Sequence, residues 1–276
     1  MNADYSNIPY GDHERQVLDI YMAGTTEPGP VLIYFHGGGY IRRDKSDILI
    51  GSLLPVCLNA GISVVAANYR FVTTDPFPAP MQDGTRVIQW VRHHAERYGW
   101  NPDKIAVSGT SAGAHIALWN AMKGDLSDPA SEDPVARCSS RVSVVLCGNG
   151  QVTKDQRFYE KYDKAGRMQP HLPAFYGIER EEELELPAIR RLSYEASAIN
   201  FVSAEAPPVM MYYDHPLGPV PFPEETTSID VMVHHPFHGY LLKHKMEQHG
   251  RRCVLRHADD PLRDGELLQF LKEAFA

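Results

Sequence analysis

Residues 109–113 read Gly-Thr-Ser-Ala-Gly, a pattern that places a serine between two small residues. An apolar segment at 105–107 precedes them and is typical of a buried strand, while the Ala- and Leu-rich segment 112–122 predicts a helix. A serine on such a tight strand-to-helix turn exposes its hydroxyl and can act as a nucleophile. The N–H of the next residue can hold the negative oxygen of an acyl-transfer intermediate. We therefore predict Ser111 as a catalytic nucleophile and Ala112 as an oxyanion donor.

A second glycine-rich segment, His-Gly-Gly-Gly at 36–39, follows the apolar run 31–35. A continuous apolar run of this length fits a strand that is covered on both faces, as in a parallel sheet. The segment lacks the Gly-Lys-Ser/Thr ending and the Gly-x-Gly-x-x-Gly spacing of phosphate-binding loops. Its exposed backbone N–H groups can instead hold an oxyanion, and we interpret His36 as a structural hydrogen-bonding residue.

The elements that must position these motifs alternate along the chain. Strand patterns cover 17–22, 31–35, 62–68, 105–108, 142–146, 209–213 and 253–256, and the principal helical patterns cover 87–98, 112–122, 236–248 and 267–275. This alternation predicts an α/β fold with a mostly parallel central sheet and helices on both faces. The polar and aromatic segment 151–200 breaks the rhythm before the penultimate strand. We expect it to be a helical insertion that either walls a pocket or packs its aromatic side chains on the domain.

Composition and charge argue against several classes of binding partner. The 276 residues fit one domain over 1–276, and a net charge of −8 argues against a nucleic-acid partner. No apolar run is long enough to span a bilayer, so no membrane partner is expected. Because residues 1–5 lack a signal-peptide pattern, we expect a cytoplasmic location. The four cysteines lack Cys-x-x-Cys spacing, and we predict no metal or cofactor. The oligomeric state is left open.

Together the motifs resemble the hormone-sensitive-lipase-like esterases of the α/β-hydrolase fold. Further blocks carry the resemblance: Asn-Tyr-Arg at 68–70, Pro-Ala-Pro-Met-Gln-Asp at 78–83, Asn-Pro-Asp-Lys-Ile at 101–105 and Ala-Pro-Pro-Val-Met-Met at 206–211. The similarity extends from about residue 16 and loosens after residue 150. It implies that the N–H groups of Gly38 and Gly39 join that of Ala112 in the oxyanion hole. It also implies a lid or pocket wall in the 151–200 segment.

A serine nucleophile needs a base to take its proton and an acid to orient that base. In this fold the acid follows the nucleophile in the chain and the histidine follows the acid. The resemblance puts the acid in the loop after the 209–213 strand. Asp214 is the nearest carboxylate there, although the usual preceding glycine context is absent, and Asp230 is the second candidate.

The base has three candidates. The family places its histidine several residues beyond the last strand, whereas His257 stands at the strand end and nothing after it is a histidine. His234 and His235 precede the 236–248 helix, and they can reach Ser111 if the insertion from 216 to 233 carries them there. His235 also suits a helix N-cap. A zinc site formed by His234, His235 and His238 is a further alternative, although the His-Glu-x-x-His pattern is absent.

The residues and the resemblance together predict a serine carboxylesterase that hydrolyses a short-chain or carbohydrate-linked ester, a small molecule, through an acyl-enzyme on Ser111. Two alternatives belong to other classes of function. One is a hydrolase-fold protein with a degraded triad that binds a small molecule without turnover. The other is a metal-dependent hydrolase that uses the histidine cluster.

Overall fold

The computed structural model describes residues 1–162, 167–218 and 228–276, in which strands and helices alternate. The strands are β1 (Tyr5–Pro9), β2 (Val17–Tyr21), β3 (Gly29–Phe35), β4 (Ser63–Ala67), β5 (Trp100–Thr110), β6 (Val144–Gly148), β7 (Val209–Tyr212) and β8 (Cys253–Arg256). The helices are α1 (Leu53–Asn59), α2 (Ala79–His93), α3 (Ala95–Tyr98), α4 (Ala112–Met122), α5 (Gln156–Tyr162), α6 (Leu172–Tyr176), α7 (Pro187–Ala196), α8 (Ile229–Val233), α9 (Phe237–Gln248) and α10 (Glu266–Phe275). Short 3-10 helices cover Lys45–Leu49, Glu181–Glu185 and Ala198–Phe201.

The strands form one sheet in the order β1-β2-β4-β3-β5-β6-β7-β8. The β1–β2 and β2–β4 pairs are antiparallel, and the pairs from β4 to β8 are parallel. Strands β3 and β5, which end at the two glycine-rich motifs, are neighbours, with Phe35 opposite Gly109. Because parallel strands end at one edge of a sheet, the motifs meet there. The predicted α/β fold with a mostly parallel sheet is confirmed.

Helices cover both faces of the sheet. Alternate residues of β3 point to opposite sides, so that Ile33 belongs to one buried apolar cluster and Leu32 to the other. Helices α2, α4 and α9 supply buried side chains to the first cluster, whereas α1 and α10 supply them to the second. Burial of both faces explains why the central strands are continuously apolar.

The predicted insertion lies between β6 and β7 and contains α5, α6, α7 and two of the 3-10 helices. Its aromatic side chains mostly pack inward, since Tyr159 and Phe175 are almost fully buried and Phe175 stacks on Phe77 at 5.5 Å between ring centroids. The later insertion over 216–233 is described only in part, because residues 219–227 lie outside the described ranges.

Three of the strands and helices in the described ranges are absent from the sequence prediction: β1, α1 and α8, the last of which has only five residues. Strand β1 lies at the edge of the sheet with mostly exposed side chains, so it has no apolar pattern. Helix α1 is only seven residues long, too short for a clear helical period. Helix α9 begins at Phe237, one residue later than predicted, because Pro236 occupies its N-cap position.

Candidate active site

Ser111 lies in the turn between β5 and α4 with backbone angles φ 53° and ψ −114°, which are rare for a residue with a side chain. Glycines allow this turn to form. A Cβ atom on Gly113 would overlap the Phe35 carbonyl oxygen, and one on Gly109 would overlap the Gly113 backbone. The Ser111 N–H donates to the Gly148 carbonyl oxygen at 2.9 Å, which ties the turn to the end of β6. The strained conformation presents the hydroxyl outward, as a nucleophile requires.

The segment 36–39 runs beside this turn. A Cβ atom on Gly37 would stand 3.1 Å from the Thr110 carbonyl oxygen. Gly38 adopts φ +97° and a Cβ atom there would overlap the Arg42 carbonyl oxygen, so the loop geometry excludes a side chain. Gly38, Gly39 and Ala112 all line the cavity that contains Ser111. As the first residue of α4, Ala112 has an N–H without an intrahelical acceptor.

His234 is the histidine that the structure brings to Ser111. Its Nε2 lies 2.9 Å from the Ser111 Oγ, and its Nδ1 lies 2.9 Å from the Asp230 Oδ1. An ionised carboxylate can only accept hydrogen bonds, so Nδ1 carries the ring hydrogen and Nε2 is left to accept from the serine hydroxyl. The three side chains form one continuous chain of hydrogen bonds in the order that nucleophilic acyl transfer requires.

Helix α8 positions both Asp230 and His234. The Ser228 side chain caps the helix by accepting from the Val231 N–H at 3.2 Å, and His234 occupies the C-cap. Residues four apart lie on the same face of a helix, so this single turn brings the carboxylate next to the imidazole. The second Asp230 oxygen, Oδ2, lies 3.6 Å from the Nε2 of His215, which follows β7.

The environment of His234 favours its neutral form. Burial lowers the pKa of His234 below its ordinary value, and the Asp230 carboxylate opposes this shift. Coulombic repulsion from nearby His215 and Lys154 adds to the lowering of the His234 pKa. A neutral imidazole beside a serine hydroxyl at pH 7 is the protonation state that a general base needs.

Asp214, the first acid candidate, lies elsewhere in the hydrogen-bond network. Its Oδ2 accepts from the Asn149 Nδ2 at 2.7 Å, and its N–H donates to the Asn149 Oδ1 at 3.1 Å. This reciprocal pair joins the ends of β6 and β7, and the structure places Asp230 rather than Asp214 against His234. The four-residue spacing of Asp230 and His234 is a sequence signal that would have favoured Asp230.

The other histidine candidates lie apart from Ser111. His235 is buried, and its Nδ1 accepts from the Phe237 N–H at 3.1 Å at the start of α9. His257 follows β8 and lines a different cavity, where its N–H donates to the Asp260 carbonyl oxygen. Over residues 1–162, 167–218 and 228–276, no three His, Cys, Asp or Glu side chains converge as metal ligands would.

The cavity at Ser111 has a volume of about 510 Å³, within the usual range for small-molecule sites. Beyond the predicted residues, the 151–200 segment contributes four polar side chains to its lining: Gln151, Lys154, Gln169 and His171. These four residues are not predicted from the sequence, because single polar residues inside an irregular segment form no recognisable pattern.

Comparison with known proteins places the chain among α/β-hydrolases. The BD-FAE family model matches residues 18–215. Esterase LipQ of Mycobacterium tuberculosis is 30% identical over 217 residues, which are 76% of this chain and 48% of LipQ. The ethyl acetate hydrolase of Pseudomonas putida is 32% identical over 164 residues, 54% of this chain and 51% of the relative. The chain thus spans about half the length of these curated relatives.

Solved structures share the fold across nearly the whole chain. A truncated carbohydrate esterase from gut microbiota superposes with a TM-score of 0.74 at 19% identity, covering 98% of this chain and 95% of that one. An acetyl ester-xyloside bifunctional hydrolase from Caldicellulosiruptor lactoaceticus gives a TM-score of 0.69 at 22% identity, covering 99% of this chain and 93% of that one.

Of the helices in the described ranges, none combines the length and apolar character needed to cross a bilayer. The predicted resemblance to α/β-hydrolase esterases is confirmed, and the chain belongs to the BD-FAE family.

Proposed function

We propose that this protein is a serine carboxylesterase in which Ser111 is the nucleophile, His234 the general base and Asp230 the orienting acid. The observation that carries the proposal is the unbroken chain of hydrogen bonds from the Ser111 Oγ through His234 to Asp230, with both distances at 2.9 Å. The N–H groups of Gly38, Gly39 and Ala112 form the oxyanion hole, which is consistent with their shared position on the cavity wall.

The geometry supports a two-step reaction. The Ser111 Oγ attacks the ester carbonyl carbon while its proton passes to the His234 Nε2, and the carbonyl electron pair moves onto the oxygen. When this intermediate collapses, the C=O bond re-forms, the bond to the alcohol oxygen breaks and His234 returns the proton to the leaving alcohol. Water then attacks the acyl-enzyme with His234 again as base, which releases the carboxylic acid and restores the Ser111 hydroxyl.

A small ester is the substrate class that we propose. The cavity volume of about 510 Å³ suits a small molecule, and its lining includes polar side chains next to the nucleophile. The names of the relatives LipQ, an esterase, and the ethyl acetate hydrolase support a short-chain ester. The polar lining is equally suited to an acyl group attached to a sugar.

Covalent labelling tests the proposal. A fluorophosphonate probe should give a single adduct on Ser111 that is absent from Ser111→Ala, because such probes need an activated serine beside an oxyanion hole. The same preparation should hydrolyse ethyl acetate and ethyl butyrate. Absence of both the adduct and the turnover in folded protein would contradict the esterase and favour a non-catalytic small-molecule binder.

A further inference from the structure

Lys154 places a buried ammonium group on the wall of the cavity that contains Ser111. The residue is only 4% exposed and lines the cavity together with the nucleophile. Its backbone is held at both polar groups, since the N–H donates to the Ser197 Oγ at 3.0 Å and the carbonyl accepts from the Tyr176 hydroxyl at 2.8 Å. These two backbone hydrogen bonds therefore hold Lys154 in place within the fold, unlike a lysine on the protein surface.

The partners of the ammonium are neutral. Lys154 Nζ donates to the Gln151 Oε1 at 2.6 Å and lies 4.8 Å and 5.3 Å from the ring centres of Tyr40 and Phe175. Throughout the described ranges, no carboxylate approaches this nitrogen within ion-pair distance, although other buried cations such as Lys45 have one. Burying an ammonium without an anion is costly. Consistent with this, burial lowers the pKa of Lys154 to about 7.

Three cationic side chains and two carboxylates line the same cavity. Of its two carboxylates, Asp47 forms an ion pair with Arg43 at 3.1 Å, whereas Asp230 accepts a hydrogen bond from the neutral His234 at 2.9 Å. Arg42 adds a further cation on the cavity wall. An anionic group entering this space therefore meets an attractive potential and an ammonium that lacks a counter-ion.

We propose that Lys154 is an anion-binding group of this cavity and that the preferred substrates are esters carrying a carboxylate near the ester bond. This inference rests on the proposed esterase function for its kinetic consequences, although the binding site itself does not. The carboxylate can belong to the acyl part, as in a dicarboxylic acid half-ester, or to the alcohol part. In either case the carboxylate accepts a charge-assisted hydrogen bond from the Lys154 ammonium, and this bond replaces the one that the ammonium donates to a neutral amide oxygen.

Binding is measured first, without turnover. The probe is succinamate, which has one carboxylate and an amide in place of an ester, and succinamide is its neutral match. Calorimetry with the whole protein should show succinamate binding at least about tenfold more tightly, as expected for one charge-assisted hydrogen bond. Lys154→Gln should remove this preference. The control Lys243→Met, which removes a surface cation outside this cavity, should keep it.

Steady-state kinetics then show whether a carboxylate is preferred on the acyl part or on the alcohol part of the ester. Ethyl hydrogen succinate is compared with ethyl succinamate for the acyl part, and 4-acetoxybenzoate with 4-acetoxybenzamide for the alcohol part. The measured quantity is the ratio of kcat/KM for the charged ester to that for its neutral match, taken within one protein. At least one ratio should exceed about ten in the wild type and fall by about tenfold in Lys154→Gln, as expected for one charge-assisted bond. A Lys154 that only braces Tyr40 and Phe175 would lower both members of a pair equally and leave the ratios unchanged.

The outcomes separate the two proposals. Equal binding of succinamate and succinamide to the wild type, or ratios at or below one with normal Ser111 labelling, overturns the anion site and leaves the esterase standing. Selective binding of succinamate that depends on Lys154, together with absent labelling and turnover, supports the anion site and contradicts the esterase. The wild-type binding comparison needs no variant, so a misfolded Lys154→Gln protein does not prevent a decision.

Discussion

The Asp230 Oδ1 and the His234 Nδ1 lie 2.9 Å apart although both residues belong to the same short stretch of chain, four positions from each other. The proposed acid and base are therefore positioned relative to each other by one turn of helix, and only their shared approach to Ser111 depends on the rest of the fold. The carboxylate is largely exposed, with 69% of its side-chain surface accessible, while the imidazole is largely covered. In the proposed mechanism the Asp230 carboxylate orients the imidazole ring and favours its charged form during the reaction.

Replacing Asp230 tests this relationship. Asp230→Asn should lower kcat by about 10²- to 10⁴-fold, because an amide can donate to Nδ1 and stabilise the wrong ring tautomer. The matched control is Asp214→Asn, which alters the carboxylate paired with Asn149 and should change kcat by no more than a few fold. Steady-state kinetics with ethyl butyrate measure both. A larger loss in Asp214→Asn than in Asp230→Asn would assign the acid to Asp214.

The identity of the base is tested by a second pair of variants. His234→Gln removes the acceptor 2.9 Å from the Ser111 Oγ and should lower kcat by at least about 10³-fold, as removal of a catalytic histidine does elsewhere. Fluorophosphonate labelling should slow in parallel. His257→Gln, in a different cavity, should label and turn over at close to the wild-type rate. The reverse result would make His257 the base.

The pH dependence follows from the environment of His234. Because burial lowers the pKa of His234 below its ordinary 6.5, the base stays neutral at pH 7 and gains a proton only at lower pH. For a neutral ester, kcat/KM should therefore be constant near pH 7 and fall as pH drops through a pKa below 6.5. Asp230→Asn removes the carboxylate that raises this pKa, so its acid limb should move to still lower pH. An acid limb above pH 7 in the wild type would contradict the assignment.

The close approach of α4 to β3 makes a prediction about stability. Gly113→Ala should destabilise the protein by about 3 kcal/mol or more, because the added methyl group overlaps backbone atoms of Phe35. Backbone atoms of a central strand cannot move aside as the end of a flexible side chain can. Gly124→Ala is the comparison. It meets no atom within 4 Å and is strained only by its φ of +88°, which costs about 1–2 kcal/mol. Urea unfolding followed by circular dichroism measures the difference, and equal effects would disprove the backbone clash.

Sequence alone determined the fold class and the turn that carries the proposed nucleophile, because both depend on local patterns. Continuous apolar runs identify strands buried on two faces, and the small residues around Ser111 reflect a backbone contact that any side chain would prevent.

Only the tertiary structure showed which histidine and which carboxylate lie at Ser111, and which polar residues of the 151–200 segment line its cavity. His234 and Ser111 are 123 positions apart in the chain, and their contact depends on the packing of α8, whose Met232 and Val233 cluster with Tyr159 of α5. Asp214 was favoured by its place after β7, but the Asn149 side chain at the end of β6 engages it instead. Lys154 lies in an irregular segment, where the chain pattern does not reveal which side chains face a cavity. Such long-range contacts arise from packing between elements, which a single sequence does not encode as a local period.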